Sequence, residues 1–256
     1  MTVTGNLFYQ TIGDPGGVSG GSLIFIHGAG GTHRKWATLM EKSINGFIHV
    51  AVDLMGHGSS PGNPVDDVKA YAESIKEFLA ANIFPRPWLL TGHSMGGNIA
   101  LQAALTYPDI VDGLILIGSG ATMPVNPTML EQLSQCTFDT GFLKIAYSRN
   151  INPELLAAEM QIWSQVSQQQ LYLDFTACNN YDVSQQLDRI KIPVLILVGD
   201  QDKMTPLKNS QYLEKNISGS LLQIIPGAGH HLMLEKPDET ISAISSFLKE
   251  RFSSQD

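Results

Sequence analysis

Cysteine is scarce in this sequence. Cys136 and Cys178 are the only two, too few for a disulfide framework, so a reducing compartment is the simpler expectation. Both are expected to serve as small apolar filler. Charge is scarce too: charged residues make up 16% of the 256, and the balance is acidic, with a formal net charge of −8. A nucleic-acid partner would want a basic face, so none is expected, while neutral or cationic small substrates stay open. No apolar run approaches the ~20 residues of a membrane span, so no membrane partner is expected. The opening Met1-Thr-Val-Thr-Gly-Asn6 lacks the basic and apolar regions of a secretory leader. No histidine pair has helical ligand spacing and H-E-x-x-H is missing, so neither metal nor cofactor is expected. Together these absences predict a soluble cytoplasmic protein that acts on a small molecule.

What the chain does contain is apolar residues, 43% of the total, laid out in a rhythm. Short aliphatic runs stand at Leu23–Ile26, Phe47–Val52, Trp88–Leu90, Leu114–Ile117, Val194–Val198 and Leu221–Ile225. Continuous runs of this length suit parallel strands buried on both faces. Between them, apolar residues recur at helical spacing: Val68, Tyr71, Ala72, Ile75, Phe78 and Leu79, then Ile99 to Tyr107, then Ile241 to Leu248. Alternating strands and helices predict an α/β fold with a doubly wound, mostly parallel sheet.

One stretch breaks the rhythm. From about residue 121 to 186 no buried strand is evident, and helices are predicted over Thr128–Gln135, Pro153–Val166 and Gln168–Ala177. The expectation is a helical cap, residues 121–185, inserted into a core made of 1–120 and 186–256. Such a cap would cover the C-terminal edge of the sheet, where open α/β sheets bind ligands.

Gly92-His-Ser-Met-Gly96 follows one apolar run and opens a helical pattern. This is G-x-S-x-G in the setting it requires, a strand feeding a helix through a tight turn. The turn would hold Ser94 above the sheet at a helix N-terminus, where partial positive charge favours a developing anion. A serine hydroxyl needs a base to take its proton, and the base needs a carboxylate to fix its tautomer. Gly199-Asp-Gln-Asp-Lys-Met-Thr-Pro206 and Pro226-Gly-Ala-Gly-His-His231 follow two later runs, so Asp200 or Asp202 and His230 or His231 are the candidates. One oxyanion-binding N–H is expected from Met95, and a second from the loop His27-Gly-Ala-Gly-Gly31.

These motifs, spread from Ile26 to Pro237, resemble those of the α/β-hydrolase superfamily. The resemblance implies the α/β-hydrolase fold and a triad of Ser94, Asp202 and His230. Asp202 fits a G-x-x-D-x-x-x-P loop through Gly199 and Pro206. His230 fits G-H followed by E-x-P, here Glu235 and Pro237. The pattern H-G-x assigns the second oxyanion N–H to Ala29. Asp53-Leu-Met-Gly-His-Gly-Ser59 matches a further loop to which the resemblance gives a structural role. Relatives that open epoxides or displace halides carry Asp at the elbow, and this chain carries Ser. The implied activity is a serine esterase cleaving small carboxylic esters. A carbon–carbon bond hydrolase would use the same triad plus cationic groups, for which Lys144, Arg149 and Arg189 are the candidates. A proline aminopeptidase would want acidic groups; Glu154 and Glu159 are expected to be merely solvated. A slow-turnover ligand receptor on the same fold is the alternative outside catalysis. The expected cap walls are drawn from Met123, Met129, Leu130, Leu133, Phe138, Phe142, Trp163, Leu171 and Phe175, about half of them facing the pocket.

Overall fold

The computed structural model describes residues 7–13, 20–42 and 46–252; the opening hexapeptide lies outside the described residues. The strands are β1 (Tyr9–Ile12), β2 (Gly21–Ile26), β3 (Phe47–Val52), β4 (Trp88–His93), β5 (Gly113–Ile117), β6 (Val194–Gly199) and β7 (Leu221–Ile225). They form one sheet in the order β1-β3-β2-β4-β5-β6-β7. β1 runs antiparallel to β3, and the other neighbours are parallel. The six apolar runs are β2 to β7. β1 has no such run, because Tyr-Gln-Thr-Ile lies at the sheet edge with most of its residues exposed.

The helices are α1 (Ala37–Glu41), α2 (Val68–Ala81), α3 (Met95–Thr106), α4 (Pro127–Ser134), α5 (Pro153–Gln165), α6 (Gln168–Asn179), α7 (Leu207–Asn216), α8 (Leu232–Glu235) and α9 (Pro237–Phe252). Successive strand residues feed opposite layers, as the pleat requires. Ile24 and Ile26 pack with α2 and α3, whereas Leu23 and Phe25 pack with α1 and α9. Both faces of the sheet are therefore covered, and the strands read as unbroken apolar runs. This is the doubly wound α/β-hydrolase fold. Among the described residues, no helix is long and apolar enough to cross a membrane.

Between β5 and β6 the chain forms α4, a 3-10 turn at Thr140–Ala146, α5 and α6. Asn126 caps α4 by accepting from the Thr128 amide, and Asn152 caps α5 through the amides of Glu154 and Leu155. Met129, Leu133, Phe138, Leu143, Trp163, Leu171 and Phe175 form a separate apolar cluster, which touches Ala29 and Met204 of the loops at the sheet's C-terminal edge. The insertion is also tied to those loops by polar contacts. Asp174 on α6 accepts from the Gly30 amide (2.8 Å), the Tyr71 hydroxyl (3.0 Å) and His57 Nε2 (2.9 Å).

Candidate active site

Ser94 sits between β4 and α3 with φ 54° and ψ −119°. Among the described residues, only Cys136 shares a positive φ without being glycine. A non-glycine residue so placed costs about 1–3 kcal/mol, which the surroundings must offset. The glycines on either side explain how the turn closes. A Cβ at Gly92 would run into the Gly96 carbonyl, and one at Gly96 would run into the Ile26 carbonyl. The Ser94 amide continues the sheet ladder to Ile117 O (2.9 Å), and Ser119 Oγ donates to Ser94 O (3.1 Å). The Ser94 side chain makes no capping bond to α3, so its hydroxyl is not spent on the helix.

Asp202 and His230 come from the loops after β6 and β7. His230 Nδ1 lies 2.8 Å from Asp202 Oδ2. Asp202 Oδ1 accepts from the amides of Met204 and Thr205, both at 2.8 Å, and Oδ2 accepts from Thr205 Oγ1 at 2.7 Å. Burial opposes charge on Asp202, but the charge and hydrogen bond of His230, with the Thr205 donors, outweigh it and hold the carboxyl below its ordinary range. The His230 backbone is fixed as well: its N–H donates to Ala146 O (2.6 Å), and its carbonyl lies 3.0 Å from His93 Nε2. Gly118 leaves room for the pair, since a Cβ there would lie 3.1 Å from His230 Nδ1 and 3.2 Å from Asp202 Oδ2.

Ser94, His230 and Ala29 line one narrow cleft, with about 430 Å³ of empty space counting its open mouth. The loop after β2 approaches closely: a Cβ at Gly28 would lie 3.0 Å from Ser94 Cβ. Met95 is the first residue of α3, directly after Ser94, so its amide belongs to the unpaired first turn of that helix. A hydroxyl, an imidazole backed by a carboxylate, and backbone donors on two loops can together perform acyl transfer.

Known proteins similar to this chain place it in a family. The model of the Alpha/beta hydrolase family matches residues 23–243. The chain belongs to that family. It is similar to the pimeloyl-[acyl-carrier protein] methyl ester esterase of Aliivibrio fischeri, 27% identical over 97% of this chain and 99% of that protein. Monoacylglycerol lipase ABHD6 of Rattus norvegicus is 24% identical over 89% of this chain and 75% of the lipase. Among solved structures, a thermophilic esterase superposes with a TM-score of 0.78 at 29% identity, covering 96% of this chain and 98% of the other. An esterase from Exiguobacterium antarcticum superposes at 0.82 with 22% identity, covering 95% of each chain.

In this α/β hydrolase the rival candidates separate cleanly. Asp200 accepts from the Gly227 amide (2.8 Å) and is exposed, apart from the imidazoles. His231 lines the cleft but stacks on Tyr147 (4.7 Å between ring centres) and has no carboxylate partner among the described residues. His27 receives the Leu54 amide at Nε2 (3.0 Å), so Nδ1 donates to Gly28 O (2.8 Å). Burial and the neighbouring His57 push its pKa down to about 3, and the ring stays neutral. Asp53 accepts from the amides of His33 and Ser59, which gives its loop a structural part.

Several expectations need correction. Of the proposed wall residues, Trp163 and Phe175 line the cleft, joined by Leu143 and Ala146. Met129, Leu133, Phe138 and Leu171 pack in their own cluster with Leu130 against it, Met123 packs on the main core, and Phe142 is exposed. Cys178 is buried filler, but Cys136 is exposed at the end of α4. Lys144, Arg149 and Arg189 point elsewhere and are absent from the cleft lining. Glu154 is exposed as expected, whereas Glu159 is buried and paired with Lys35. Lys35 itself lines the cleft, only 7% exposed. Sequence reasoning misses it because Lys35 belongs to none of the motifs. The one hint is the buried Trp36 beside it, which fixes which way its turn faces.

Proposed function

We propose that this chain is a serine esterase that cleaves small carboxylic esters through an acyl-enzyme intermediate. The observation that carries the reading is the 2.8 Å contact between His230 Nδ1 and Asp202 Oδ2, in a cleft whose wall includes Ser94. Ser94 Oγ attacks the ester carbonyl while His230 takes its proton. Asp202 holds the imidazole tautomer and stabilises the imidazolium. The amides of Ala29 and Met95 receive the oxyanion. His230 returns the proton to the departing alcohol, and water then repeats the sequence on the acyl-enzyme. No cofactor enters any step.

Residues 121–185 act as a cap on a core formed by 1–120 and 186–256. Support comes from Leu143, Trp163 and Phe175, which supply apolar wall facing Ser94. The esterase and lipase names of the relatives point the same way. Carbon–carbon bond hydrolysis is the second reading, favoured by Lys35 in the cleft. Among the described residues no Asp or Glu lines the cleft to take the amine of a proline aminopeptidase substrate. Turnover on a panel of short esters tests the proposal. Wild-type protein should release acid and alcohol at a rate that Ser94→Ala reduces by at least about a thousandfold with an unchanged melting temperature. Tight binding with no turnover would make the protein a receptor instead.

A further inference from the structure

The cleft beside Ser94 has a basic wall. Lys35, His93, His230 and His231 line it, and among the described residues no carboxylate does; burial holds His93 and His231 well below the ordinary imidazole range, so both rings are neutral there. His230 and His93 are accounted for by the contacts already described. Lys35 and His231 are not needed for acyl transfer.

Lys35 enters from the 3-10 turn His33–Trp36 after β2. Its ammonium pairs with Glu159 of α5 and lies 5.3 Å from the centre of the Trp163 ring. Glu159 is the one acceptor it has among the described residues, which leaves N–H groups without a protein partner. Glu159 is itself held by the Tyr147 hydroxyl (2.6 Å), which in turn accepts from Trp163 Nε1 (3.1 Å). It lines the neighbouring groove rather than the cleft. Lys35 lines both the cleft and that groove, so it stands where the two adjoin.

His231 supplies an independent observation. It is 4% exposed, and its Nδ1 is buried with no hydrogen-bond partner. An unpaired buried polar group costs about 1–3 kcal/mol; other side chains, Trp36 and Asn98 among them, also hold one, but of these His231 is the one that lines the cleft. Two under-used polar groups thus sit on one small wall, a few residues from the loops that hold the scissile carbonyl.

We propose that the ester cleaved at Ser94 carries a second, free carboxylate, and that Lys35 and His231 bind it. The substrate class is a short monoester of a dicarboxylic acid. This inference rests on the esterase reading for the bond that is cut. The acidic charge of the whole chain does not oppose it, because a buried cleft responds to its own lining more than to distant, screened surface charge. Burial pulls the Lys35 pKa below its ordinary value, and the charge and hydrogen bond of Glu159 oppose that shift; Glu159 takes one donor, and the carboxylate of the substrate takes those that remain.

The test compares ethyl hydrogen glutarate with ethyl 5-methylhexanoate, in which an isopropyl group replaces the carboxylate. The acid is expected to have the higher kcat/KM, and Lys35→Met should reduce the acid-to-neutral ratio by about 10- to 100-fold, chiefly through KM. The double variant Lys35→Met/Glu159→Gln removes the pair without leaving a lone buried charge, and the same fall in ratio is expected. Equal turnover of the two esters, or a ratio unmoved by both variants, overturns the carboxylate subsite while leaving the esterase intact. Glutarate binding to Ser94→Ala protein, measured by calorimetry, is independent of turnover. Lys35-dependent binding with no ester hydrolysis would keep the subsite and discard the esterase. No binding, together with no hydrolysis, would discard both.

Discussion

At the scale of the residue, the site is built by constraint. The flanking glycines let the turn that holds Ser94 at φ 54° close without a clash, and a Cβ at Gly118 would crowd His230 and Asp202. Asp202 has more hydrogen bonds than its charge alone requires. Two amides and a hydroxyl hold its oxygens, so that Oδ2 stays directed at the imidazole. Asp202→Asn keeps the size but replaces one acceptor oxygen with a donor nitrogen, which favours the wrong imidazole tautomer. It should lower kcat by about 10³- to 10⁴-fold with a small change in KM, read from steady-state kinetics. Thr205 could not be foreseen from the sequence, since a threonine two residues past a Lys carries no signal of whom it will touch. The choice of Asp202 over Asp200 needed the family resemblance. The two carboxylates are equivalent by spacing, and only the folded loop shows Asp200 spent on Gly227.

At the scale of the element, α6 is more than a covering helix. Its Asp174 reaches between the loops after β2 and β3 and ties Gly30, His57 and Tyr71 to the insertion. His57 Nδ1 faces Met55 O (3.1 Å) while Nε2 faces Asp174, so both nitrogens meet acceptors and the ring is suited to be an imidazolium. Burial works against that charge, but the hydrogen bond and charge of Asp174 and the Met55 carbonyl outweigh it, and the pKa is raised. Its folded pKa thus lies above the unfolded value of about 6.5. The stabilisation is fully present below that value and is lost as pH rises through the folded pKa. His57→Gln cannot carry the charge. It should cost about 3 kcal/mol near pH 6, as breaking a buried pair does, and the gap to wild type should close as pH rises. Urea unfolding at several pH values measures this; a gap independent of pH would show His57 to be neutral. The apolar runs predicted β2 to β7 because both faces of the sheet are covered. The same logic hides β1, which is exposed at an edge. In the insertion the helices were legible as helices while the facing of each side chain was not: Leu133, Leu171, Trp163 and Phe175 share one cluster, and of these Trp163 and Phe175 also line the cleft.

At the scale of the whole molecule, the proposed function depends on chain order and sheet order combining. The loops after β2, β4, β6 and β7 all leave the same edge of a parallel sheet, which is how residues 29, 94, 202 and 230 come to one place. That convergence was legible, since each motif follows an apolar run and parallel strands send their ends to one side. The wall with Lys35 was not, because Lys35 lies in no motif and its partner Glu159 stands 124 positions away. The direct test of the convergence is covalent labelling with a fluorophosphonate, with the modified peptide mapped by mass spectrometry. The account predicts one adduct, on Ser94, lost in Ser94→Ala and strongly slowed in His230→Ala. An adduct on any other residue, or labelling that survives in Ser94→Ala, would contradict it.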